Sequence, residues 1–211
     1  MNITDAQTFC ICGLGNPGQE YSRTRHNYGF LALDYLAESV PVQNNSFLKW
    51  RKSDLLQTKL GDKNLVLIKP LTFMNNSGEA VRETADYYRI PAEQCIIITD
   101  DSAIPFGTIR IKPSGSAGGH NGLSSVIQHI GSNFIRIRCG IGMPEDSRTD
   151  LKDFVLGRFT ASEYSNLPAI LRNITDAINI IIEKGPSHAM NIYNSKNFIA
   201  SHQTNTVVKQ L

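Results

Sequence analysis

The stretch Cys95-Ile96-Ile97-Ile98-Thr99, closed by Asp100-Asp101, decides the fold. A continuous apolar run rich in β-branched side chains suits a central strand covered on both faces, the habit of parallel sheets flanked by helices. Working back from it, Asn76-Ser77 caps a helix that runs to about Arg89, with Glu79 in its first turn and Pro91 just beyond its end. Before that, extended segments around 55–60 and 65–68 flank Gly61-Asp62-Lys63-Asn64 and read as a hairpin with a four-residue loop, an antiparallel element in the sheet. Between Asn27 and about Val40, residues Phe30, Leu33, Leu36, Ala37 and Val40 recur at helical spacing, and Phe9-Cys10-Ile11-Cys12 reads as the first strand.

Beyond the central strand, Thr108–Lys112 and Phe134–Ile141 read as further strands, separated by Ser114-Gly115-Ser116-Ala117-Gly118-Gly119 and a helix from about Asn121 to Ile130. From Ser162 onward the chain is mostly helical, broken once at Gly185-Pro186. No repeat or linker divides it, so 1–211 reads as one α/β domain: a mixed, twisted sheet with helices on both faces and a loose polar tail from about 201.

With 211 residues, 41% of them hydrophobic and 19% charged, the chain can bury a sizeable core. No apolar run approaches the ~20 residues of a membrane span, and the N-terminus lacks a secretory pattern, so a soluble cytoplasmic protein is expected. Cys10, Cys12, Cys95 and Cys139 all lie in apolar runs, without a Cys-x-x-Cys pair, and read as buried free thiols. A formal charge of +2 does not announce a nucleic-acid partner, and composition leaves the partner open.

Gly13-Leu14-Gly15-Asn16-Pro17-Gly18 matches the G-x-G-x-x-G dinucleotide fingerprint directly after a strand. That fingerprint also needs a helix opening within the glycine loop and an acid at the end of a second strand about 20 residues on. Here Gln19-Glu20-Tyr21-Ser22-Arg23-Thr24-Arg25 prolongs the loop and Asp34 falls inside a helical pattern, so no nucleotide cofactor is implied. The loop instead sets Asn16 at the carboxyl end of a strand, with His26 at the mouth of the next helix and Asp100 ending the central strand. Asn75 and Asn121 stand at two more strand-to-helix junctions. Each has an ordinary reading as a cap or turn residue; together they can line one rim of the sheet.

These segments resemble the bacterial-type peptidyl-tRNA hydrolase family. The likeness runs from residues 13–18 through Glu20-Tyr21 to Thr24-Arg25-His26-Asn27, then Lys69-Pro70-Leu71-Thr72-Phe73-Met74-Asn75-Asn76-Ser77-Gly78, Gly118-Gly119-His120-Asn121-Gly122-Leu123 and Asp153-Phe154-Val155-Leu156-Gly157. The resemblance implies an esterase that releases tRNA and peptide from N-blocked peptidyl-tRNA. His26 would be the general base acting on water, Asp100 would orient it, and Asn16, Asn75 and Asn121 would hold peptide and water. Tyr21 and Phe73 would contact the substrate's end, and Lys112 and Arg138 would bind tRNA phosphates. No metal or cofactor, no DNA and no membrane partner is implied, and a monomer is expected. For Arg136 and the Lys49-Trp50-Arg51-Lys52 run, an ordinary solvated face is the expectation. Ala103, Met143-Pro144-Glu145 and the loop Ser114-Gly115-Ser116-Ala117 depart from the family pattern, none at the catalytic positions. A serine or cysteine hydrolase using Ser102 or Cys12 would want a Gly-x-Ser-x-Gly elbow, which is absent, and a non-catalytic RNA-binding module would not need His26 and Asp100 together.

Overall fold

The computed structural model describes residues 7–40, 46–194 and 196–199 and contains one seven-stranded sheet. Its strands are β1 (Thr8–Gly13), β2 (Leu48–Trp50), β3 (Ser53–Leu60), β4 (Lys63–Pro70), β5 (Cys95–Asp101), β6 (Ile109–Lys112) and β7 (Ile135–Gly140), in the order β2-β3-β4-β1-β5-β7-β6. β1, β4, β5 and β7 run parallel, and the β2-β3, β3-β4 and β6-β7 pairs are antiparallel, so the sheet is mixed as expected. The helices are α1 (Tyr28–Ser39), α2 (Ser77–Tyr88), α3 (Asn121–Ile130), α4 (Leu151–Leu156), α5 (Ala161–Lys184) and α6 (Pro186–Tyr193).

Alternation along β1 and β5 divides the core into two layers. Phe9, Ile11, Ile96 and Ile98 belong with Leu33 and Leu36 of α1 and Ile170, Ile174 and Ile178 of α5; Cys10, Cys12, Cys95 and Ile97 belong with Val81 of α2 and Val126 of α3. The isoleucine run is thus buried on both sides, and all four cysteines are buried free thiols. Local signals agree with these boundaries. Thr160 and Glu163 form a reciprocal capping box at the start of α5, and Pro186 opens α6 directly after Gly185.

Three details depart from the sequence reading. The hairpin loop has two residues, Gly61-Asp62, because Lys63 and Asn64 extend β4 opposite Leu60 and Lys59. β2 and α4 carry no pattern of their own in the sequence: three residues are too few to show alternation, and six too few to show a helical period. The tail from 201 lies outside the described residues.

The glycine loop serves packing. A Cβ on Gly13 would lie 2.1 Å from the Gly29 carbonyl oxygen, and one on Gly29 would lie 2.3 Å from the Leu14 nitrogen, so α1 crosses the end of β1 in direct backbone contact. At the opposite edge, the Asn194 carboxamide accepts from the Ile111 N–H at 2.7 Å and donates to the Ile111 carbonyl at 3.1 Å, covering the outer side of β6. Among the described residues no helix is long and apolar enough to cross a membrane.

From β1 the chain leaves toward β2–β4, whereas from the neighbouring β5 it leaves toward β6 and β7. The crevice at the carboxyl ends of β1 and β5 is therefore the topological switch point of the sheet, where open α/β sheets bind ligands.

Candidate active site

A cavity of about 400 Å³ opens at that switch point, and Asn16, His26, Phe73, Asn75, Asp100 and Asn121 all line it. Asn16 follows β1 and is buried. Its backbone N–H donates to the Asn27 Oδ1 (2.8 Å), the Asn27 Nδ2 donates to its carbonyl (2.9 Å), and its own Oδ1 accepts from the Met74 N–H (2.9 Å). With the oxygen engaged by a backbone donor, the amide orientation is fixed and the NH₂ is left for the cavity.

His26 sits on a tight 3-10 turn, 25–27, that leads into α1. Arg25 braces this turn: its N–H donates to the Gly157 carbonyl (3.0 Å), and its guanidinium donates to the Arg158 carbonyl (2.8 Å) and Glu163 Oε2 (2.7 Å). The His26 Nδ1 lies 3.0 and 3.1 Å from the two oxygens of Asp100, whose side chain is only 3% exposed. A carboxylate is an acceptor only, so Nδ1 carries the proton and Nε2 is left with its lone pair.

A second histidine, which the sequence reading placed only within a motif, completes the arrangement. His120 caps α3 by accepting the Leu123 N–H at Nδ1 (3.2 Å), so its proton is on Nε2, which donates to Asp100 Oδ1 at 3.1 Å. The two imidazoles lie with centroids 4.9 Å apart. Burial alone would raise the Asp100 carboxyl; His120, and then His26, more than offset it and hold the group well below the usual carboxylate range. Asp100 is therefore ionised at neutral pH. His26, Asp100 and His120 bring three possible metal-ligand atoms within 4.8 Å of one another. In both rings, however, the nitrogen facing the carboxylate is the protonated one, so the lone pairs a metal would need point elsewhere and the donor set fits a hydrogen-bonded triad.

Phe73 stands 55% exposed on the cavity rim with φ of 58°, a conformation unusual for a bulky residue. Asn75 lies in the 3-10 turn 74–76 that leads into α2, and Asn121 opens α3. One wall is supplied by Leu151, Val155 and Leu156 of α4.

Tyr21, Lys112 and Arg138 are not among the cavity-lining residues. Tyr21 ends the 3-10 turn 19–21 and is partly exposed. Arg110 pairs across the strands with Arg138, and Lys112 with Arg136, which sets all four cations on one face of the β6-β7 edge. Lys112 is exposed, and Arg138 is ion-paired with Asp101. Arg136 corrects the expectation of a solvated face: it is 1% exposed, stacked over the Phe134 ring at 3.9 Å. Arg51 and Lys52 are exposed and pair with Glu83 and Glu79. Ser102 borders the cavity, but no hydrogen bond links it to either histidine among the described residues. Cys12 is buried in β1, where burial pushes its thiol well above the ordinary value, the opposite of an activated nucleophile.

Residues 10–201 match the family model described as peptidyl-tRNA hydrolase. The peptidyl-tRNA hydrolase of Gloeobacter violaceus is 44% identical over 190 residues, covering 88% of this chain and 93% of that protein. That of Finegoldia magna is 45% identical over 192 residues, covering 90% and 100%. Among solved structures, the crystal structure of peptidyl-tRNA hydrolase from Acinetobacter baumannii superposes with a TM-score of 0.81 at 33% identity, covering 90% of this chain and 96% of that one.

Proposed function

This chain belongs to the peptidyl-tRNA hydrolase family, and from that membership we propose that it hydrolyses the ester between peptide and terminal ribose in N-blocked peptidyl-tRNA, with His26 as general base. The observation that carries the role of His26 is its hydrogen bond to a buried, ionised Asp100, which leaves Nε2 as the acceptor beside the cavity. Neutral imidazole takes a proton from water as the oxygen attacks the ester carbonyl, and the imidazolium that forms is stabilised by the carboxylate behind it. The same proton then goes to the departing ribose oxygen. Base assistance of this kind contributes ~10²–10⁴-fold.

Charge developing on the carbonyl oxygen needs donors, and Asn16, Asn75 and Asn121, which line the cavity, carry NH₂ groups able to supply them. Phe73 on the cavity rim and the partly exposed Tyr21 offer rings on which the terminal adenine can stack. Lys112 and Arg138 then take phosphates of the acceptor stem along the β6-β7 edge. The route calls for no metal or cofactor. It uses side chains of a single chain, in keeping with a monomer working in the cytoplasm where peptidyl-tRNA arises.

Asn16 accounts for the sparing of aminoacyl-tRNA. Its NH₂ donates to the amide carbonyl that an N-blocked substrate carries next to the ester; a free amine offers no such acceptor. A site left with an unpaired buried donor discriminates more strongly than one missing a methylene. Release of tRNA from N-acetyl-aminoacyl-tRNA tests the base. The His26→Ala protein should lose turnover while still binding tRNA, and near-normal hydrolysis by it would overturn the assignment.

A further inference from the structure

Lys112 and the start of α3 are joined by a loop, 113–119, in which Gly115, Gly118 and Gly119 all have positive φ (144°, 58° and 84°). Such a segment has little intrinsic rigidity. It nevertheless delivers Gly118, Gly119, His120 and Asn121 to the cavity wall. Apart from the local turn in which the Ala117 carbonyl accepts from the His120 N–H at 3.1 Å, the one hydrogen bond that ties it to the rest of the protein among the described residues is the one that the Gly115 carbonyl accepts from Arg136 Nη2, at 2.7 Å. The other bonds of that guanidinium go to the Ser132 carbonyl (3.2 and 3.3 Å) and the Phe134 carbonyl (3.0 Å), both in the segment that leads into β7.

Arg136 is a costly residue for this task. It has no carboxylate partner among the described residues, its Nε is buried without an acceptor, and burial and the neighbouring Arg138 cation both work against its charge. A buried ion without a counter-ion is a poor source of stability, and an apolar side chain of similar volume commonly serves as well or better. What an apolar residue cannot do is reach from the Phe134 and Ser132 carbonyls to a third carbonyl in a separate loop. The planar fork of arginine spans all three.

We propose that Arg136 is a positioning residue for the ester site: its guanidinium pins the Gly115 carbonyl and so fixes the 113–119 loop at the height where Asn121 meets the substrate. This rests on the reading of the cavity as the ester site. Arg136 touches no substrate. Its effect is on the placement of Asn121 and His120, where a shift of ~1 Å can cost ~100-fold in rate.

The test is Arg136→Met, which removes the fork without leaving a buried charge, read by amide hydrogen exchange and by kinetics on a short N-blocked aminoacyl ester that lacks the acceptor stem. The variant should remain folded, with faster exchange confined to residues 115–121 and unchanged protection in β5 and β7. Its kcat/KM on the short ester should fall about tenfold. Arg136→Lys keeps the charge but concentrates it on one nitrogen that cannot serve both anchors; it should show the same localised loosening and carries the test if the methionine variant does not fold. Unchanged exchange in the loop, loosening spread over β5 and β7, or a loosened loop with unaltered short-ester kinetics would each overturn the proposal. Failure of the ester-site reading is seen separately, as wild-type protein that does not cleave N-blocked aminoacyl-tRNA or a His26→Ala variant that does; the exchange result still decides whether Arg136 holds the loop.

Discussion

Replacing Asp100 by asparagine separates the charge of the buried carboxylate from its shape. Two imidazole N–H groups converge on one oxygen: Oδ1 lies 3.0 Å from His26 Nδ1 and 3.1 Å from His120 Nε2, whereas Oδ2 lies 3.1 Å from His26 alone. An asparagine with its carbonyl at the Oδ1 position keeps an acceptor for both N–H groups, while its NH₂ takes the place of Oδ2 and the second acceptor of the His26 Nδ1–H is lost. The His26 tautomer then survives, with Nε2 still the acceptor. What disappears is the attraction between a carboxylate and the imidazolium that forms as the proton is taken. Opposite unit charges about 4 Å apart attract by ~4 kcal/mol at an effective dielectric near ~20. Only the share developed at the transition state counts, so a loss of ~3 kcal/mol, or ~10²-fold in kcat/KM, is expected. The assay is release of tRNA from N-acetyl-aminoacyl-tRNA at neutral pH, with the thermal midpoint as a check on folding and His26→Ala as the floor. Activity within about threefold of wild type would refute the electrostatic role. A loss as deep as that of His26→Ala would refute the retained tautomer.

Asn16→Asp keeps the size of the side chain, removes its donor and adds a charge that attracts an ammonium, so the ratio of activity on N-acetyl-aminoacyl-tRNA to that on aminoacyl-tRNA should fall; equal losses on both substrates would make Asn16 a turn residue only. Neutralising Lys112 or Arg138 should weaken binding of full-length tRNA and flatten its salt dependence by roughly one unit per lost contact while sparing a short N-blocked ester; a matching loss on the ester would argue for a structural role. Acid unfolding should report Asp100 as well. Its folded pKa is depressed, so its contribution to stability is present above the ordinary carboxylate value of ~4 and is lost as the pH falls from there toward the depressed value. Denaturant midpoints of wild type and Asp100→Asn should therefore draw together below about pH 4, and a gap that stays constant on acidification would contradict the ionised carboxylate.

Much of this was legible in the sequence because it depended on local pattern. The isoleucine run of β5 has one stable environment, a strand between two helical layers, and the acid at its end could point only to the rim. The four junction residues Asn16, His26, Asn75 and Asn121 were readable because strand ends and helix starts announce themselves. His120 does not stand out as a functional group in the sequence, for a related reason. A histidine before a helix reads as a cap, which it is, through the Leu123 N–H; its second nitrogen meets Asp100 only because β5 and α3 converge in space. Arg136 reads as solvated in the sequence because alternation with Ile135 and Ile137 marks the arginine face of β7 as outward. The Phe134 ring and the 113–119 loop cover that face, and nothing in the local sequence announces a cover. The cavity wall from α4 was equally hidden, since its place depends on Arg25 bracing residues 157–163.

The carboxamide of Asn194 on the rim of β6 has a consequence for how this protein behaves in a crowded solution. An open strand is a template on which another chain can polymerise, and the two ends of this sheet are guarded by different means. At one end β2 offers only three residues, one of them the exposed Lys49, too short and too charged to recruit a neighbour. At the other, Asn194 occupies both bonding groups of Ile111, and Thr108 bridges to Asn197 a little farther along. The segment after α6 thus acts as a terminator for sheet growth. Trimming the chain back to residue 193 would leave every cavity residue in place and yet uncover a sticky seam, so the shortened enzyme should work when dilute and self-associate when concentrated.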